Sequence, residues 1–293
     1  TSHTFVTGST GSGKSNSIYL LLNKLWQQKK IPFLIIEPAK GEYKDIFGRD
    51  SEVNVFGTNP NLTPLLHINP FSFPENIHIT EHIDRLIEIL NAVWPMYAAM
   101  PAILKEAIEL TYEKMGWDLL NSLSRYNPKT FPDFQDLVDV LPRVIAQSGY
   151  SEEVKSNYSG ALLTRVRSMT NGYFKTIFQK QEILPDILFD EPCIVDLSRV
   201  GASETKSLLM GILFLKLQEY RMSENTGSNA TLEHITVLEE AHHLLRRTSS
   251  EQSQEGANLQ GKSVEMISNA IAEMRTYGEG FIIADQAPGL LDR

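Results

Sequence analysis

A run of glycine, serine and lysine close to the start of the chain strongly restricts the fold. Residues 8 to 15 read Gly-Ser-Thr-Gly-Ser-Gly-Lys-Ser, an unbroken G-x-x-x-x-G-K-[ST] pattern. An apolar run at residues 4–7 precedes it, and Ile18, Leu22 and Leu25 follow at helical spacing. A strand, a glycine-rich turn and a helix in that order predict a phosphate-binding loop, or P-loop. The alternative is an ordinary Gly/Ser turn, which leaves the flanking strand and helix unexplained.

Within this loop two side chains have predicted roles. Lys14 is expected to reach the β- and γ-phosphates of a bound nucleotide, and the Ser15 hydroxyl is expected to ligate Mg²⁺. ATP and Mg²⁺ are therefore the predicted cofactors. The predicted nucleotide-binding residues are Gly8, Ser9, Thr10, Gly11, Ser12, Gly13, Lys14 and Ser15.

Composition limits the compartment and the partners. The 293 residues include one cysteine, Cys193, which excludes an internal disulfide and indicates a reducing, cytoplasmic environment. No apolar run approaches the roughly 18 residues of a membrane span, so no membrane association is predicted. The net charge of −9 argues against attraction of nucleic acid to the whole surface. A ring with local Lys and Arg in its channel stays compatible, because screening restricts charge effects to about 8–10 Å.

Short apolar runs rich in β-branched residues predict further strands, buried in a parallel sheet. The alternation of these runs with helical segments predicts a doubly wound α/β fold. The predicted strands are Phe33–Ile36, Val53–Phe56, Cys193–Asp196, Ile235–Leu238 and Phe281–Ala284, and the predicted helices between them include Ser203–Arg221 and Val264–Tyr277.

Residues 74–185 have a different pattern, which predicts helices without strands. Thr80 is the predicted cap of one helix, with Ile83 and Leu90 on its apolar face, and Pro101 suits the first turn of the next helix. We therefore predict an α/β core at residues 1–73 and 186–293, interrupted by a helical insertion subdomain at 74–185.

The polar stretch from Thr248 to Lys262 has almost no apolar residue and predicts a mobile loop. One interpretation is a simple linker. The other is a loop that faces a central channel, flanked by Arg246, Arg247 and Lys262.

Hydrolysis requires an activated water in addition to a phosphate-binding loop. The apolar run at 235–238 ends in two carboxylates, Glu239 and Glu240, which is the form of a Walker B motif. Because adjacent strand residues point in different directions, the two can serve separate tasks. Glu239 is predicted to join the Mg²⁺ shell through water, and Glu240 to deprotonate the attacking water. The alternative is that the pair only favours the start of a helix.

Two residues near the last predicted strand are further catalytic candidates. Gln286 follows that strand and is predicted to position water or to sense the γ-phosphate, although glutamine is also common in turns. Arg275 ends the preceding helix. Its predicted role is either favourable charge at a helix C-terminus or an arginine finger that reaches a γ-phosphate.

These motifs together resemble the HerA-like branch of the HerA/FtsK ATPases. The resemblance rests on the P-loop, residues 37–43 (Glu-Pro-Ala-Lys-Gly-Glu-Tyr), residues 238–242 (Leu-Glu-Glu-Ala-His), and Arg275 and Gly278 followed by residues 284–286 (Ala-Asp-Gln). It implies a RecA-like P-loop NTPase fold with a catalytic glutamate. It further implies a hexameric ring that moves or unwinds double-stranded DNA, with a nuclease or other effector partner, in DNA end processing or antiviral defence.

The resemblance also assigns roles to individual residues. It implies that Arg275 acts on the nucleotide of a neighbouring subunit and that Gln286 is the sensor. Glu37 is expected to end the strand beside the P-loop strand and to join the Mg²⁺ or water network; alternatively, Glu37 and Pro38 only terminate that strand. Glu42 and Tyr43 are interpreted as structural.

Three other features have weaker interpretations. Arg165 and Arg167 are second candidates for the arginine finger. His242 and His243 suggest metal ligation, but adjacent residues do not share a helical face, so packing is the favoured interpretation. The family pattern further implies an N-terminal β-barrel and C-terminal elements beyond this sequence, which is thus expected to be a fragment of a longer protein.

Several functions remain open at this stage. The favoured one is an Mg²⁺-dependent ATPase motor on duplex DNA. The second is an ATP-gated scaffold that assembles an effector without translocation, and the third is a secretion-type coupling ATPase. A small-molecule kinase is disfavoured, because it has no use for the paired carboxylates and the sensor strand.

Overall fold

The computed structural model describes residues 3–9, 11–47, 50–94, 96–224, 230–245 and 254–286. The strands are β1 (Thr4–Thr7), β2 (Phe33–Glu37), β3 (Asn54–Gly57), β4 (Trp117–Asp118), β5 (Leu123–Ser124), β6 (Cys193–Asp196), β7 (His234–Glu239) and β8 (Glu279–Asp285). The α-helices are α1 (Lys14–Lys29), α2 (Tyr43–Phe47), α3 (Ile79–Val93), α4 (Met100–Lys114), α5 (Phe134–Gln147), α6 (Glu152–Tyr158), α7 (Thr164–Ser168), α8 (Gly172–Ile177), α9 (Pro185–Phe189), α10 (Ser203–Glu224) and α11 (Gln254–Met274).

Six of these strands form one parallel sheet in the order β1-β8-β7-β2-β6-β3. All the strands predicted from the sequence belong to it, so the α/β fold class is confirmed. Strand β8 lies between the P-loop strand β1 and strand β7. The central strands β2, β6 and β7 are buried along their whole length, which explains why they are apolar throughout rather than alternating.

Helices cover both faces of the sheet, and each face has its own apolar cluster. On one face, α1 and α2 pack against alternate strand residues, among them Phe33, Ile35 and Val237. The opposite face carries Leu34 and other alternate residues, which pack against α3, α10 and α11 and the rest of the helical segment. The sheet is therefore the middle layer of three.

Four neighbouring strands end in an acidic residue at the carboxyl edge of the sheet. These residues are Asp285, Glu239, Glu37 and Asp196, and all four are buried. Glu37 pairs in register with Asp196, and the residue before it pairs with Leu238. The side chains of Glu37, Asp196 and Glu239 consequently project on the face that α1 covers, whereas Asp285 is one residue out of phase with them.

The segment predicted as a helical insertion contains α3–α9, but it also includes the antiparallel hairpin β4–β5. Its first helix begins at Ile79, because the His78 side chain, rather than Thr80, caps it by accepting from the Thr80 N–H. Pro101 lies in the first turn of α4, as predicted. The apolar core of the segment is continuous with one face of the sheet, so its separation as a subdomain stays a prediction.

The polar stretch predicted as a loop is helical over residues 254–262, where α11 has already begun. Glutamine, glutamate, alanine and leucine in this stretch support a helix, whereas Gly256 and Gly261 do not. Residues 248–253, Arg246 and Arg247 lie outside the described residues. Within the described part of the chain, no helix has the length and apolarity needed to cross a membrane.

Candidate nucleotide site

The P-loop leaves β1 at Thr7 and turns into α1. Gly11 and Gly13 have φ values of +80° and +89°, in the left-handed region that glycine adopts without strain. Gly13 is the N-cap of α1, so the N–H groups of the first helical turn, which have no acceptor within the helix itself, face the loop. A Cβ atom at either glycine would project into open space. The loop therefore offers a backbone concavity for an anion, while Thr10 lies outside the described residues.

The Lys14 ammonium group folds back over this concavity. It donates a hydrogen bond to the Gly8 carbonyl and a longer one, 3.4 Å, to the Ser9 carbonyl. The first turn of α1 contains no acidic residue. Positive charge from Lys14 and from the helix N-terminus thus acts at one place without a competing carboxylate.

Glu239 ends β7 on the face that α1 covers, and it is held by Tyr43. The Tyr43 hydroxyl donates a 2.8 Å hydrogen bond to Glu239 Oε1, and the Ser15 side chain is a second polar group that acts on this hydroxyl. Burial raises the pKa of Glu239 above its usual range. The two residues predicted to hold Mg²⁺ therefore lie near one phenol. Tyr43 was interpreted as structural from the sequence, so its contact with Glu239 was missed.

Glu37 anchors the segment that carries Tyr43. Its carboxylate accepts the Glu42 N–H at 2.7 Å and the Tyr43 N–H at 3.3 Å, which caps α2. Burial raises the pKa of Glu37 to about 8, and the nearby Glu239 adds to this increase. Glu37 was expected to end the strand beside the P-loop strand. This was wrong, because β8 and β7 separate β2 from the P-loop strand.

Glu240 begins the turn after β7 with a left-handed backbone, φ +46°. Gln286, just after β8, donates from Nε2 to Glu240 Oε1 at 2.5 Å. The two strands are neighbours in the sheet, so their carboxyl ends bring together the two residues predicted to activate and position water. Their catalytic roles stay predictions.

A second pair of residues, Asp285 and His242, lies beside Glu240. The buried Asp285 carboxylate accepts from both the His242 backbone N–H, at 2.9 Å, and His242 Nδ1, at 3.0 Å. His242 Nδ1 also lies 3.5 Å from Glu240 Oε2. His243 stacks on His242 and contacts the Ser203 hydroxyl. Asp285 was not singled out in the sequence, and its position at a strand end was the available signal.

The structure separates Arg275 from this group of residues. Arg275 lies in the turn Arg275–Tyr277, before β8, whereas Glu240 and Gln286 lie at the opposite edge of the sheet. The seven residues of β8 span roughly 20 Å. Arg275 thus does not reach the P-loop of its own chain, and its action on a neighbouring subunit stays a prediction. Arg165 forms an ion pair with Glu204 at 3.7 Å, and Arg167 is exposed on α7.

With this geometry established, comparison with known proteins identifies the family. Residues 1–217 match the family model described as helicase HerA, central domain. The chain belongs to this HerA central-domain family. A curated relative, the DNA double-strand break repair helicase HerA of Sulfurisphaera tokodaii, is 24% identical over 297 residues. That alignment covers 100% of this chain and 52% of the relative, so the chain spans about half the length of that protein.

A solved structure supports the fold assignment. VirB4 of Thermoanaerobacter pseudethanolicus is similar with a TM-score of 0.68 and 16% identity, over 97% of this chain and 69% of the VirB4 chain. The HerA-like resemblance and the P-loop ATPase fold predicted from the sequence are thus confirmed.

The described residues fit the predicted cofactors. A nucleotide phosphate would find the glycine concavity, the helix N-terminus and Lys14 together. A divalent cation with oxygen ligands would find the Ser15 hydroxyl and the Glu239 carboxylate near the same phenol. Oxygen donors of this kind suit Mg²⁺ rather than a thiophilic metal.

Proposed function

We propose that this chain is the motor core of an Mg²⁺-dependent ATPase of the HerA type. The observation that carries the proposal is that two groups of residues meet at the end of β7. The first group is Lys14, Ser15 and Glu239, and the second is Glu240 and Gln286. A loop that only binds phosphate would not require the second group.

In the proposed reaction, Lys14 binds the β- and γ-phosphates, and Ser15 and Glu239 hold the cation, Glu239 through water. Bound Mg²⁺ supplies charge neutralisation of the phosphates. The backbone N–H groups of Gly11 and Gly13 bind phosphate oxygens through the concave loop. These residues position the γ-phosphate without covalent chemistry of their own.

Glu240 is the proposed base that takes a proton from the attacking water. Its Oε1 accepts from Gln286 and its Oε2 faces His242, so its carboxylate is oriented from two sides. Gln286 has a second role as the γ-phosphate sensor, because its strand lies directly beside the P-loop strand. Asp285 keeps His242 in place through two hydrogen bonds to the same oxygen.

We further propose that the chain works as a ring, with a hexamer as the favoured state, on double-stranded DNA in the cytoplasm. Arg275 supports this, because it lies at the edge of the sheet opposite the nucleotide site of its own chain, so an arginine-finger role would require the nucleotide of a neighbouring subunit. The name of the HerA relative supports DNA as the substrate. A nuclease or other effector is the proposed partner, in DNA end processing or antiviral defence.

An ATP-gated assembly scaffold is the second candidate, and the net charge of −9 favours it over a DNA motor. The Glu240→Gln variant separates the two. It is expected to bind ATP and lose hydrolysis. A motor then loses DNA movement while it keeps ATP-dependent assembly, whereas a scaffold keeps full effector binding and function. Movement of DNA by Glu240→Gln at the wild-type rate would contradict the motor proposal.

A further inference from the structure

We propose that Tyr43 is a positioning residue for the divalent cation, and that it orients the Glu239 carboxylate before the cation binds. This inference rests on the proposed function. The phenol oxygen lies 2.8 Å from Glu239 Oε1. A tyrosine hydroxyl has one proton to donate, and here that proton is used on Glu239.

The direction of this hydrogen bond fits cation binding. Tyr43 donates to Glu239, which engages Oε1 and leaves Oε2 available for a cation-bound water. The Ser15 side chain also acts on the phenol and opposes the rise of the Tyr43 pKa, which places the other predicted cation ligand near the same hydroxyl.

The phenol ring cannot move freely. Tyr43 is fully buried and belongs to the apolar cluster that includes Phe33 and Phe47. Its backbone N–H is held by Glu37 Oε2. A ring that is packed in the core and anchored at its backbone gives the groups around its hydroxyl a defined orientation. Cation binding then has less side-chain entropy to remove.

The turn before Tyr43 is equally constrained. Gly41 has φ +71°, and a Cβ there would lie 2.7 Å from Lys44 Nζ and 2.9 Å from Ser198 Oγ. Lys44 in turn contacts Asp196 at 2.5 Å. The segment from Glu37 to Lys44 is therefore fixed at both ends against neighbouring strands, and Tyr43 is the residue of this segment that bonds to Glu239.

The test compares the wild-type protein with Tyr43→Phe, which removes the hydroxyl and keeps the ring. ADP binding is measured by calorimetry with EDTA and then with increasing Mg²⁺, and Mn²⁺ binding to the ADP complex is measured by electron paramagnetic resonance. Partners that orient metal ligands typically contribute about 10–100-fold in metal affinity. We expect metal-free ADP affinity to stay within about twofold, while the Mn²⁺ affinity falls at least about tenfold.

Tyr112→Phe is the matched control, because Tyr112 is also fully buried and donates its hydroxyl to a carbonyl, that of Phe71, in the helical segment. It is expected to leave both affinities unchanged. Equal Mn²⁺ affinity for Tyr43→Phe and wild type would overturn the inference, as would equal loss of metal-free ADP binding.

Glu37→Gln provides a second variant if Tyr43→Phe does not fold. It keeps the phenol and weakens the anchor of its backbone, so a smaller but still metal-selective loss is expected. A Glu37→Gln protein with wild-type Mn²⁺ affinity contradicts the inference. If the wild-type protein does not bind ADP in a metal-dependent way, the proposed function is overturned. If the wild type does so and Tyr43→Phe has the same Mn²⁺ affinity, only the role of Tyr43 is overturned.

Discussion

Gln286 and Glu240 meet across the ends of two neighbouring strands, with Gln286 Nε2 donating to Glu240 Oε1 at 2.5 Å. The residues are far apart in sequence. They meet because β8, which lies between β1 and β7 in the sheet, places its end beside the end of β7. This contact joins the predicted base to the strand that lies against the P-loop strand. Under the proposed function, changes at the γ-phosphate would reach Glu240 through the Gln286 side chain.

Removal of the Gln286–Glu240 hydrogen bond is expected to slow ATP hydrolysis. Gln286→Ala is expected to reduce kcat for ATP at least about tenfold with little change in nucleotide affinity, because Glu240 loses its orienting donor. Steady-state hydrolysis and ADP calorimetry together separate the two effects. A proportional loss of affinity and kcat would mean that Gln286 binds nucleotide rather than orients the base.

Lys14 is expected to be indispensable. Lys14→Ala removes the only ammonium group bonded to the P-loop carbonyls among the described residues and should lower ATP turnover by about 100-fold or more. Lys24→Ala, an exposed lysine on the same helix, is the control and should hydrolyse ATP normally. Near-normal turnover by Lys14→Ala would contradict the site assignment.

Glu240→Gln should separate binding from hydrolysis. The amide keeps the size of the side chain but cannot accept a proton, so kcat is expected to fall by about 10²–10⁴ while ATP still binds. Glu233→Gln, an exposed glutamate just before β7, serves as the control. The assignment fails if Glu240→Gln turns over ATP at the rate of that control.

Glu37 predicts a pH dependence of stability. Its pKa is raised to about 8 in the folded protein, mainly by burial, above its ordinary value of 4.5. The folded state therefore binds the proton more tightly, and the free energy of unfolding decreases as pH rises between these two values. In EDTA without nucleotide, the wild-type Tm should fall from pH 5 to pH 8 by more than that of Glu37→Gln. Equal slopes would contradict the shifted pKa.

Much of the fold was accessible from the sequence, because continuous apolar runs such as Cys193–Asp196 predict buried parallel strands wherever they occur. The P-loop was equally clear, since its glycines and Lys14 are local in sequence. The strand order was not, and so Glu37 was expected beside the P-loop strand. Pairing between distant segments depends on tertiary packing, which periodicity does not encode.

The parts of the site that were missed all depend on such pairing. Tyr43 reaches Glu239 over 196 positions, and His242 reaches Asp285 over 43. Neither contact has a local pattern. The helix at residues 254–262 was missed for a different reason, because polar composition was interpreted as a loop, although several of these residues are good helix formers.

ATP turnover with and without double-stranded DNA, on a sample whose mass is determined under the same conditions, tests the central claim most directly. The account predicts an Mg²⁺-dependent ATPase that is stimulated by duplex DNA and has the mass of a ring of subunits, with ATP turnover lowered about 100-fold or more in Lys14→Ala. A monomer whose ATP turnover is indifferent to duplex DNA would contradict the account.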